Sequence, residues 1–334
     1  MNRRTRLAVE ALVSGVILVV VLWISNPEQI WQTLSHARPG WLALALIVQI
    51  ATIPVMAYRW QLLLDAKGIH QPMGWLTRTY YIALFAGQFL PAAIGGDAVR
   101  AVELGRRTHD APEAVASVLI DRVVGVISLV ALAAVSIAAG GHSAAGPEVL
   151  VVEIAFGLAA LAVLGLLFSS RVRGLAARVL EPRSDGRPLI GGERFYDALH
   201  SYRNHRVVLV VVGVLALGVQ IARIGTIWML VQALNLDVPI SSIFITGPVL
   251  FVALILPVSI NGIGVREAVF VYFLRDYTTP GQAFALGVAF FALTTATAMV
   301  GGLLLAFRFV RYGVEAARPR RQLDEAGEQA AKPE

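Results

Sequence analysis

The chain contains no cysteine among its 334 residues, and only 15% of its residues are charged. The lack of cysteine excludes disulfide bonds, thiol catalysis and cysteine-ligated metals. The charged fraction lies well below the roughly 25% that is usual in soluble domains, whereas 57% of the residues are hydrophobic. The six histidines lie in polar connections and show no metal-ligand spacing. These features disfavour a soluble enzyme and a metalloprotein.

Motifs that bind nucleotides or carry out hydrolysis are also missing. The sequence has no GxxxxGKS or GxxxxGKT loop, no HExxH and no GxSxG. We therefore expect no cofactor, no bound metal and no enzymatic activity. The formal net charge is +6, but basic residues alone are a weak indication of nucleic-acid binding. In a membrane chain they more often mark cytoplasmic loops, so nucleic acid is not an expected partner.

Six apolar runs are long enough to cross a bilayer, since a helical crossing needs about 20 apolar residues. They are 7–24, 41–58, 115–139, 149–168, 207–230 and 282–307. Two further apolar segments, 79–94 and 240–274, are interrupted by proline, glycine and charged residues. The sequence therefore predicts an all-α integral membrane protein. Its predicted architecture is a helical bundle of about six full spans plus two interrupted segments, which gives eight membrane segments.

The two interruptions resemble each other. LPAAIGGDAVRAVE (90–103) and LPVSINGIGVREA (256–268) share Leu-Pro, one glycine and Val-Arg in a single register, and the Pro-to-Arg spacing is nine in both. Interrupted segments at corresponding positions of two halves are typical of transporter binding sites. We therefore predict an inverted repeat in which each interruption forms a re-entrant hairpin. A chance likeness of two helix-breaking loops is the alternative.

The predicted transmembrane domain covers 1–309. Its halves, 1–168 and 207–309, are joined by a basic cytoplasmic loop at 169–206, and a disordered cytoplasmic tail follows at 310–334. With two hairpins and a cytoplasmic amino terminus, most of the 28 Lys and Arg residues lie inside, as the positive-inside rule requires. Both termini are then cytoplasmic. Eight complete crossings, in which each interrupted segment forms two short helices, are the alternative geometry.

Glycines and charged residues at the two interruptions form the candidate site. Glycine lets backbone N–H groups approach an anion, and a helix that begins there directs its positive end toward it. A guanidinium can hold a phosphate through two hydrogen bonds. The predicted headgroup-binding residues are Arg100, Arg266, Arg122, Gly95, Gly96, Gly262 and Gly264. Their predicted charge partners are Asp97, Glu103, Asp121 and Glu267.

These charges also have a purely structural interpretation, in which acids and arginines neutralise one another and hold helices together. Charged groups within a membrane are costly, so a functional role is the default hypothesis for them. Glu10, Glu153 and Arg223 lie near predicted span ends. We expect these three side chains to reach out to water.

The residues around the first interruption resemble a known family. FAGQFLPAAIGGDAVRAVELGRR, followed by AVASVLIDRVVGVISL, is similar to the lysylphosphatidylglycerol synthase transmembrane-region family, also called flippase-like. The resemblance rests on a Pro-x-x-x-Gly-Gly-Asp-x-x-Arg core, on an acidic-Arg pair and on a second block. These stand here at Pro91, Gly95, Gly96, Asp97 and Arg100, at Asp121 and Arg122, and at Pro257, Gly262, Gly264, Arg266 and Glu267. The family more usually has Glu-Arg where this chain has Asp121-Arg122.

The resemblance implies a multi-pass protein of the bacterial inner membrane that moves a phospholipid or another phosphate-headgroup lipid across the bilayer. Family members with a soluble aminoacyl-transferase domain move aminoacylated phosphatidylglycerol. This sequence lacks that domain, so lipid aminoacylation is not expected. The implied partners are membrane lipids with anionic headgroups. The alternative is a non-transporting membrane subunit that presents lipid to a glycosyltransferase or synthase partner.

Overall fold

The computed structural model describes residues 25–89, 95–138, 158, 192–255 and 260–317, and every regular element within these ranges is helical. We number the α-helices in chain order. They are α1 (Pro27–Ser35), α2 (Pro39–Asp65), α3 (Met73–Phe89), α4 (Gly95–Thr108), α5 (Ala111–Ala138), α6 (Gly192–Ser201), α7 (Arg206–Ala233), α8 (Ile240–Ile255), α9 (Val265–Phe273) and α10 (Pro280–Ala317). Short 3-10 turns at Tyr202–Asn204 and Ile260–Gly262 precede α7 and α9.

Four helices of the described part are long and apolar enough to cross a membrane. They cover Pro39–Asp65, Ala111–Ser136, Arg206–Ala233 and Pro280–Phe307. At about 1.5 Å per residue, each reaches about 40 Å, which exceeds the roughly 30 Å thickness of the hydrocarbon core. These helices coincide with four of the six predicted spans. The other two predicted spans, 7–24 and 149–168, lie outside the described residues.

Side-chain contacts at one end of the bundle bring three connections together. Lys67, which follows α2, donates a hydrogen bond to Ser201 Oγ at 2.6 Å and forms an ion pair with Glu113 at 3.2 Å. Glu113 lies in the first turn of α5, and Ser201 ends α6 just before α7. We call this the Lys67 end. Because α2 ends and α5 begins there, α3 and α4 together leave this end and return to it.

The opposite end, which we call the Arg38 end, joins the start of α2 to the end of α7. The backbone N–H of Arg38 donates to the carbonyl oxygen of Ala233 at 2.7 Å. The side chain of Asn235 donates to the carbonyl oxygen of His36 at 3.2 Å. The hydroxyl of Ser25, next to α1, donates to the carbonyl oxygen of Pro280 at 3.3 Å, so α10 begins at this end. It follows that α8 and α9, which connect α7 to α10, begin and end at the Arg38 end.

Each interrupted segment contains two helices, α3 and α4 in the first and α8 and α9 in the second, and we call the stretch between them a break. Residues 90–94 and 256–259, which include Pro91 and Pro257, lie outside the described residues. Helices α4 and α9 have 14 and 9 residues. At about 1.5 Å per residue they are about 21 and 14 Å long, so neither can cross the hydrocarbon core by itself.

The second break has an unusual backbone. Asn261, Gly262 and Gly264 have φ angles of 51°, 73° and 85°. A non-glycine residue rarely adopts such angles. Asn261 and Gly262 lie within the 3-10 turn and Gly264 is the N-cap of α9, so the backbone departs from α-helical geometry directly before α9 begins.

The predicted loop at 169–206 contains a helix, because α6 occupies its carboxyl-terminal part. The side chains of Ala198 and Leu199 are buried against Leu63 of α2 and Ile120 of α5. The sequence of α6 is polar on average, and packing of its one apolar face stabilises it as a helix. The remainder of the predicted loop, 169–191, lies outside the described residues.

The first residues of the predicted tail belong to a helix, whereas the part of that helix that is apolar enough to cross a membrane ends at Phe307. Helix α10 does not end at 309 but continues to Ala317. The residues after 307 include arginines, which are good helix formers, so their charge does not end the helix. Residues 318–334, the rest of the predicted tail, lie outside the described residues.

Candidate functional site

Asp121 of α5 lies at the centre of a buried group of charged side chains. The residue is 1% exposed, and its carboxylate accepts hydrogen bonds from three neighbouring helices. Arg59 of α2 donates at 2.6 Å, the Tyr80 hydroxyl of α3 donates at 2.6 Å, and Arg100 of α4 donates at 3.0 Å. Two carboxylate oxygens can accept about four hydrogen bonds, so these donors satisfy most of that capacity. The arrangement fixes α2, α3 and α4 around α5.

The guanidinium of Arg100 is enclosed by aromatic rings. It lies 4.3 Å from the centre of the Trp60 ring and 3.9 Å from that of the Tyr80 ring. Arg100 as a whole is 3% exposed. Both distances are typical of cation–π contacts. A further nitrogen of Arg100 lies 3.4 Å from Asp97 on the same helix. Arg100 is therefore held by two carboxylates and two rings.

Arg122 follows Asp121 in sequence but contacts a different carboxylate. Successive residues on a helix point about 100° apart, and Arg122 donates a hydrogen bond to Asp97 of α4. Its side chain is 47% exposed, compared with 3% for Arg100. Asp97 thus contacts one enclosed arginine and one accessible arginine.

Arg223 of α7 also belongs to this group, contrary to the expectation that it reaches out to water. It lies in the interior of the helix Arg206–Ala233, with its guanidinium 4.0 Å from the centre of the Phe251 ring. Two positive groups, Arg122 and Arg59, lie near enough to act on it electrostatically. Within the described part of the chain, no carboxylate contacts Arg223.

These side chains line a cavity of about 320 Å³. Its described walls come from α2, α3, α4, α5, α7, α8, α10 and the turn before α9. The charged residues that line it are Arg59, Asp97, Arg100, Asp121, Arg122 and Arg223. Gly96 lines it at the start of α4, where an added Cβ would lie 2.7 Å from the carbonyl oxygen of Ala83. The glycine therefore allows α4 to begin directly against α3.

The second break contributes to the cavity through Asn261 instead of Arg266. Asn261 lines the cavity, and its amide donates a hydrogen bond to Gln88 at the end of α3. Arg266 is 3% exposed, donates to the carbonyl oxygen of Asn261 and lies 4.7 Å from the Phe291 ring centre. It is not among the described residues that line the cavity.

The N-terminus of α9 is occupied by a side chain of the same helix. The backbone N–H of Gly264 donates to Glu267 at 2.7 Å, which leaves this N–H unavailable to an external anion. Gly262 also lies outside the cavity lining, and an added Cβ there would lie 2.2 Å from the Leu254 side chain. The two breaks are therefore similar in sequence but different in environment.

The structure thus divides the predicted site residues into two groups. Those that line the cavity are Gly96, Asp97, Arg100, Asp121 and Arg122. Those that the described lining does not include are Gly95, Glu103, Gly262, Gly264, Arg266 and Glu267. Gly95 is the first residue of α4, and Glu103 is a half-buried residue further along the same helix.

Sequence reasoning missed Arg59, Tyr80 and Trp60, which contact Asp121 or Arg100. The predicted span 41–58 ends just before Arg59, whereas α2 continues to Asp65 and buries Arg59 to 5% exposure. A charged residue just beyond a long apolar run is the one signal that could have identified it. Nothing in the local sequence indicates that Trp60 and Tyr80 pack against the guanidinium of Arg100.

These features define a polytopic α-helical membrane protein with a charged cavity between its helices. The family model described as the lysylphosphatidylglycerol synthase TM region matches residues 8–302. Because the match covers most of the chain, the protein belongs to this family. The resemblance inferred from the two sequence blocks is confirmed.

One similar curated protein is glycosyltransferase AglD of Haloferax volcanii. The identity is 26% over 340 residues, which cover 90% of this chain and 54% of the relative. The chain therefore spans about half the length of that relative.

Proposed function

We propose that this protein is a lipid translocase that moves a phospholipid or another phosphate-headgroup lipid across the bacterial inner membrane. The observation that carries the proposal is the cavity of about 320 Å³, whose described wall contains four arginines within a helical membrane protein. Charged side chains at membrane depth are costly and commonly mark a substrate pathway. A volume near 300 Å³ suits a headgroup, so the acyl chains remain in the bilayer.

The proposed path uses the two interrupted segments as re-entrant hairpins of an inverted repeat. The contacts at the Lys67 end and at the Arg38 end support entry from opposite sides, because α3–α4 return to one end and α8–α9 to the other. Gln88 and Asn261 join the two breaks at the cavity wall. Rocking of one half against the other would open the cavity to each leaflet in turn.

The orientation in this proposal places the Lys67 end and both termini in the cytoplasm. The connections at that end carry exposed basic residues, including Arg106, Arg107 and Arg203. Excess Lys and Arg in short loops favours the cytoplasmic side. In the same proposal the chain performs no covalent chemistry, and another protein makes its lipid substrate.

A second candidate function is a membrane subunit that presents lipid to a glycosyltransferase or synthase. The similarity to glycosyltransferase AglD, confined to about half of that protein, favours this candidate. The same cavity would then hold a headgroup at the membrane for a partner, without carrying it to the other leaflet.

Reconstitution into liposomes separates the two candidates. Purified protein is inserted into vesicles that contain fluorescent phospholipids with phosphate headgroups, and an impermeant quencher reports how fast the inner-leaflet lipid moves outward. We expect a rate above that of protein-free vesicles. A matched preparation of the Asp97→Asn, Arg122→Gln double variant should return to the protein-free rate. A wild-type rate equal to the protein-free rate would reject the translocase and favour the presenting subunit.

A further inference from the structure

Two glutamine side chains in the cavity wall have acceptor oxygens without a donor. Gln49 of α2 and Gln220 of α7 are 9% and 8% exposed, and both residues line the cavity. Their Oε1 atoms are buried and have no hydrogen-bond partner within the described part of the chain. Leaving a buried acceptor unsatisfied is costly. A ligand in the cavity that supplies donors to these atoms would therefore gain affinity.

The orientation of the Gln220 amide follows from its other contact. Its Nε2 donates to the carbonyl oxygen of Gly125 on α5 at 3.2 Å. Because a carbonyl oxygen can only accept, the nitrogen of the amide is directed to α5, and Oε1 is left for a further partner. Gln220 lies three residues before Arg223 on α7, and side chains at this spacing are neighbours on a helix surface. A headgroup held at Arg223 can therefore reach Gln220.

Threonines that line the cavity offer acceptors but no protons. The hydroxyls of Thr52, Thr294 and Thr297 donate to carbonyl oxygens of Gln49, Phe290 and Leu293 on their own helices, at 2.6, 3.0 and 2.9 Å. A hydroxyl has one proton and two lone pairs, so each of these oxygens can only accept from a ligand. Together with the two glutamines, five neutral side chains of the described wall offer acceptor oxygens.

A phosphate alone cannot use these oxygens, because its own oxygens are acceptors. The arginines of the wall suit the phosphate, whereas the neutral oxygens need a group that donates. Hydroxyl groups donate without carrying a charge. An ammonium group also donates, but beside Gln220 it would lie close to the guanidinium of Arg223, and like charges repel each other.

Building on the translocase proposed above, we infer that the cavity selects a lipid whose phosphate carries a polyol, such as glycerol, inositol or a sugar. The Oε1 atoms of Gln49 and Gln220 accept hydrogen bonds from the hydroxyl groups of the polyol, and the threonine oxygens provide further acceptors. The arginines bind the phosphate that joins the polyol to the lipid. Headgroups of equal charge are then distinguished by their hydroxyl groups.

Binding to the purified full chain in detergent tests this inference without depending on transport. Phosphatidylglycerol and phosphatidylpropanol with the same acyl chains carry the same single negative charge, but the second lipid lacks both headgroup hydroxyls. We expect phosphatidylglycerol to bind about tenfold or more tightly, because two buried acceptors gain a donor. Equal or tighter binding of phosphatidylpropanol would overturn the inference and leave water as the donor to both glutamines.

A third lipid, lysylphosphatidylglycerol, distinguishes hydroxyl from ammonium donors. Its lysyl ester removes one headgroup hydroxyl and adds two ammonium groups. We expect it to bind more weakly than phosphatidylglycerol. Binding that is equal or tighter would show that ammonium groups satisfy the acceptors, and the polyol would be rejected.

Variants of the two glutamines test their roles. Gln49→Met and Gln220→Met keep the length of the side chain and remove the amide. Each should lower the affinity for phosphatidylglycerol about threefold or more and change that for phosphatidylpropanol by less than about twofold. Gln61→Met, on α2 but outside the described lining of the cavity, is the matched control and should leave both affinities unchanged. A preference that survives both glutamine substitutions in folded protein would overturn the assignment. The comparison of lipids on the unaltered chain needs no variant to fold.

A soluble probe, glycerophosphoglycerol, distinguishes a lipid headgroup from a free polyol phosphate. We expect it to compete with phosphatidylglycerol only weakly, since it lacks the acyl chains. Competition as strong as that of the lipid would overturn the lipid source. Tight binding of phosphatidylglycerol without lipid movement in vesicles would reject the translocase and leave the polyol selectivity in place. Movement of both lipids at one rate, together with equal binding, would reject the selectivity and leave the translocase in place.

Discussion

Asp121 accepts hydrogen bonds from residues 62, 41 and 21 positions away in the sequence, on three different helices. A buried carboxylate is tolerable only when such partners replace its hydration. Its two oxygens are already engaged, so Asp121 is better suited to hold Arg59 and Arg100 in place than to contact a lipid. At this scale the site has a fixed inner part around Asp121 and an accessible part around Arg122 and Arg223.

Loss of the central carboxylate should destabilise the fold. Asp121→Asn leaves Arg59 and Arg100 buried without their main counter-charge, and we expect the free energy of unfolding to fall by about 3–5 kcal/mol. Tyr80→Phe removes one donor and should cost about 1–2 kcal/mol. Thermal unfolding in detergent measures both changes. Asp237→Asn, at an exposed position, is the control. A change for Asp121→Asn no larger than for this control would contradict the central role of Asp121.

The pair of Asp97 and Arg122 should affect function more than stability. The double variant Asp97→Asn, Arg122→Gln removes both charges, so no unpaired partner is created between them, and Arg100 keeps its contact with Asp121. We expect the free energy of unfolding to change by about 1 kcal/mol or less, whereas lipid movement in vesicles is lost. Retention of full lipid movement would reduce Arg122 to a structural ion-pair partner.

At the level of elements, the start of α4 depends on a close approach to α3. There is no room for a side chain between Gly96 and Ala83, because an added Cβ would lie 2.7 Å from the carbonyl oxygen of Ala83. Backbone atoms cannot move aside as a flexible side chain can. The position of α4, and hence of Asp97 and Arg100, therefore depends on this glycine.

Gly96→Ala should accordingly separate α4 from α3 and lower the free energy of unfolding by about 1–3 kcal/mol. Gly225→Ala is a matched control on α7, because no atom lies within 4 Å of the added Cβ. Alanine is the better helix former, so this control should be neutral or stabilising by up to about 1 kcal/mol. Thermal unfolding of both variants in the same detergent gives the comparison. A stable Gly96→Ala protein with unchanged lipid movement would show that the close approach is dispensable.

At the level of the whole molecule, each interrupted segment begins and ends at the same end of the bundle, and the two segments use different ends. The pair α3–α4 begins and ends at the Lys67 end, and the pair α8–α9 begins and ends at the Arg38 end. This arrangement follows from the contacts of Lys67 at one end and of Arg38 at the other. Neither α4 nor α9 is long enough to cross a bilayer by itself. The inverted pair of hairpins proposed above would account for both observations and would give a substrate access to the cavity from either side.

The proposed orientation can be measured by labelling of single cysteines, since the chain has none of its own. Asp237→Cys, in the exposed connection at the Arg38 end, should react in intact cells with an impermeant thiol reagent. Arg106→Cys, exposed near the end of α4, should react only after the membrane is permeabilised. Reaction of both residues after permeabilisation is the control for accessibility. Labelling of Arg106→Cys in intact cells would place the end of α4 outside and contradict the first hairpin.

The residues alone were enough to predict the class of protein, the four described spans and the two interruptions of the apolar segments. These features depend on local composition, since a run of apolar residues or a pair of glycines acts within a few turns of the chain. The same local reasoning recognised the family from its two blocks and placed Asp97, Arg100, Asp121 and Arg122 in the candidate site. It also placed Glu103, Arg266 and Glu267 there, which the described cavity lining does not include.

Which charges share a cavity depends on how the helices pack together. Arg100 and Arg266 occupy equivalent sequence positions, yet Arg100 lines the cavity and Arg266 packs against Phe291. The inward position of Arg223 and the contact of Arg59 with Asp121 depend on how α2, α5 and α7 are rotated about their axes. That rotation is set by packing between helices that are distant in sequence, and no local pattern of residues encodes it.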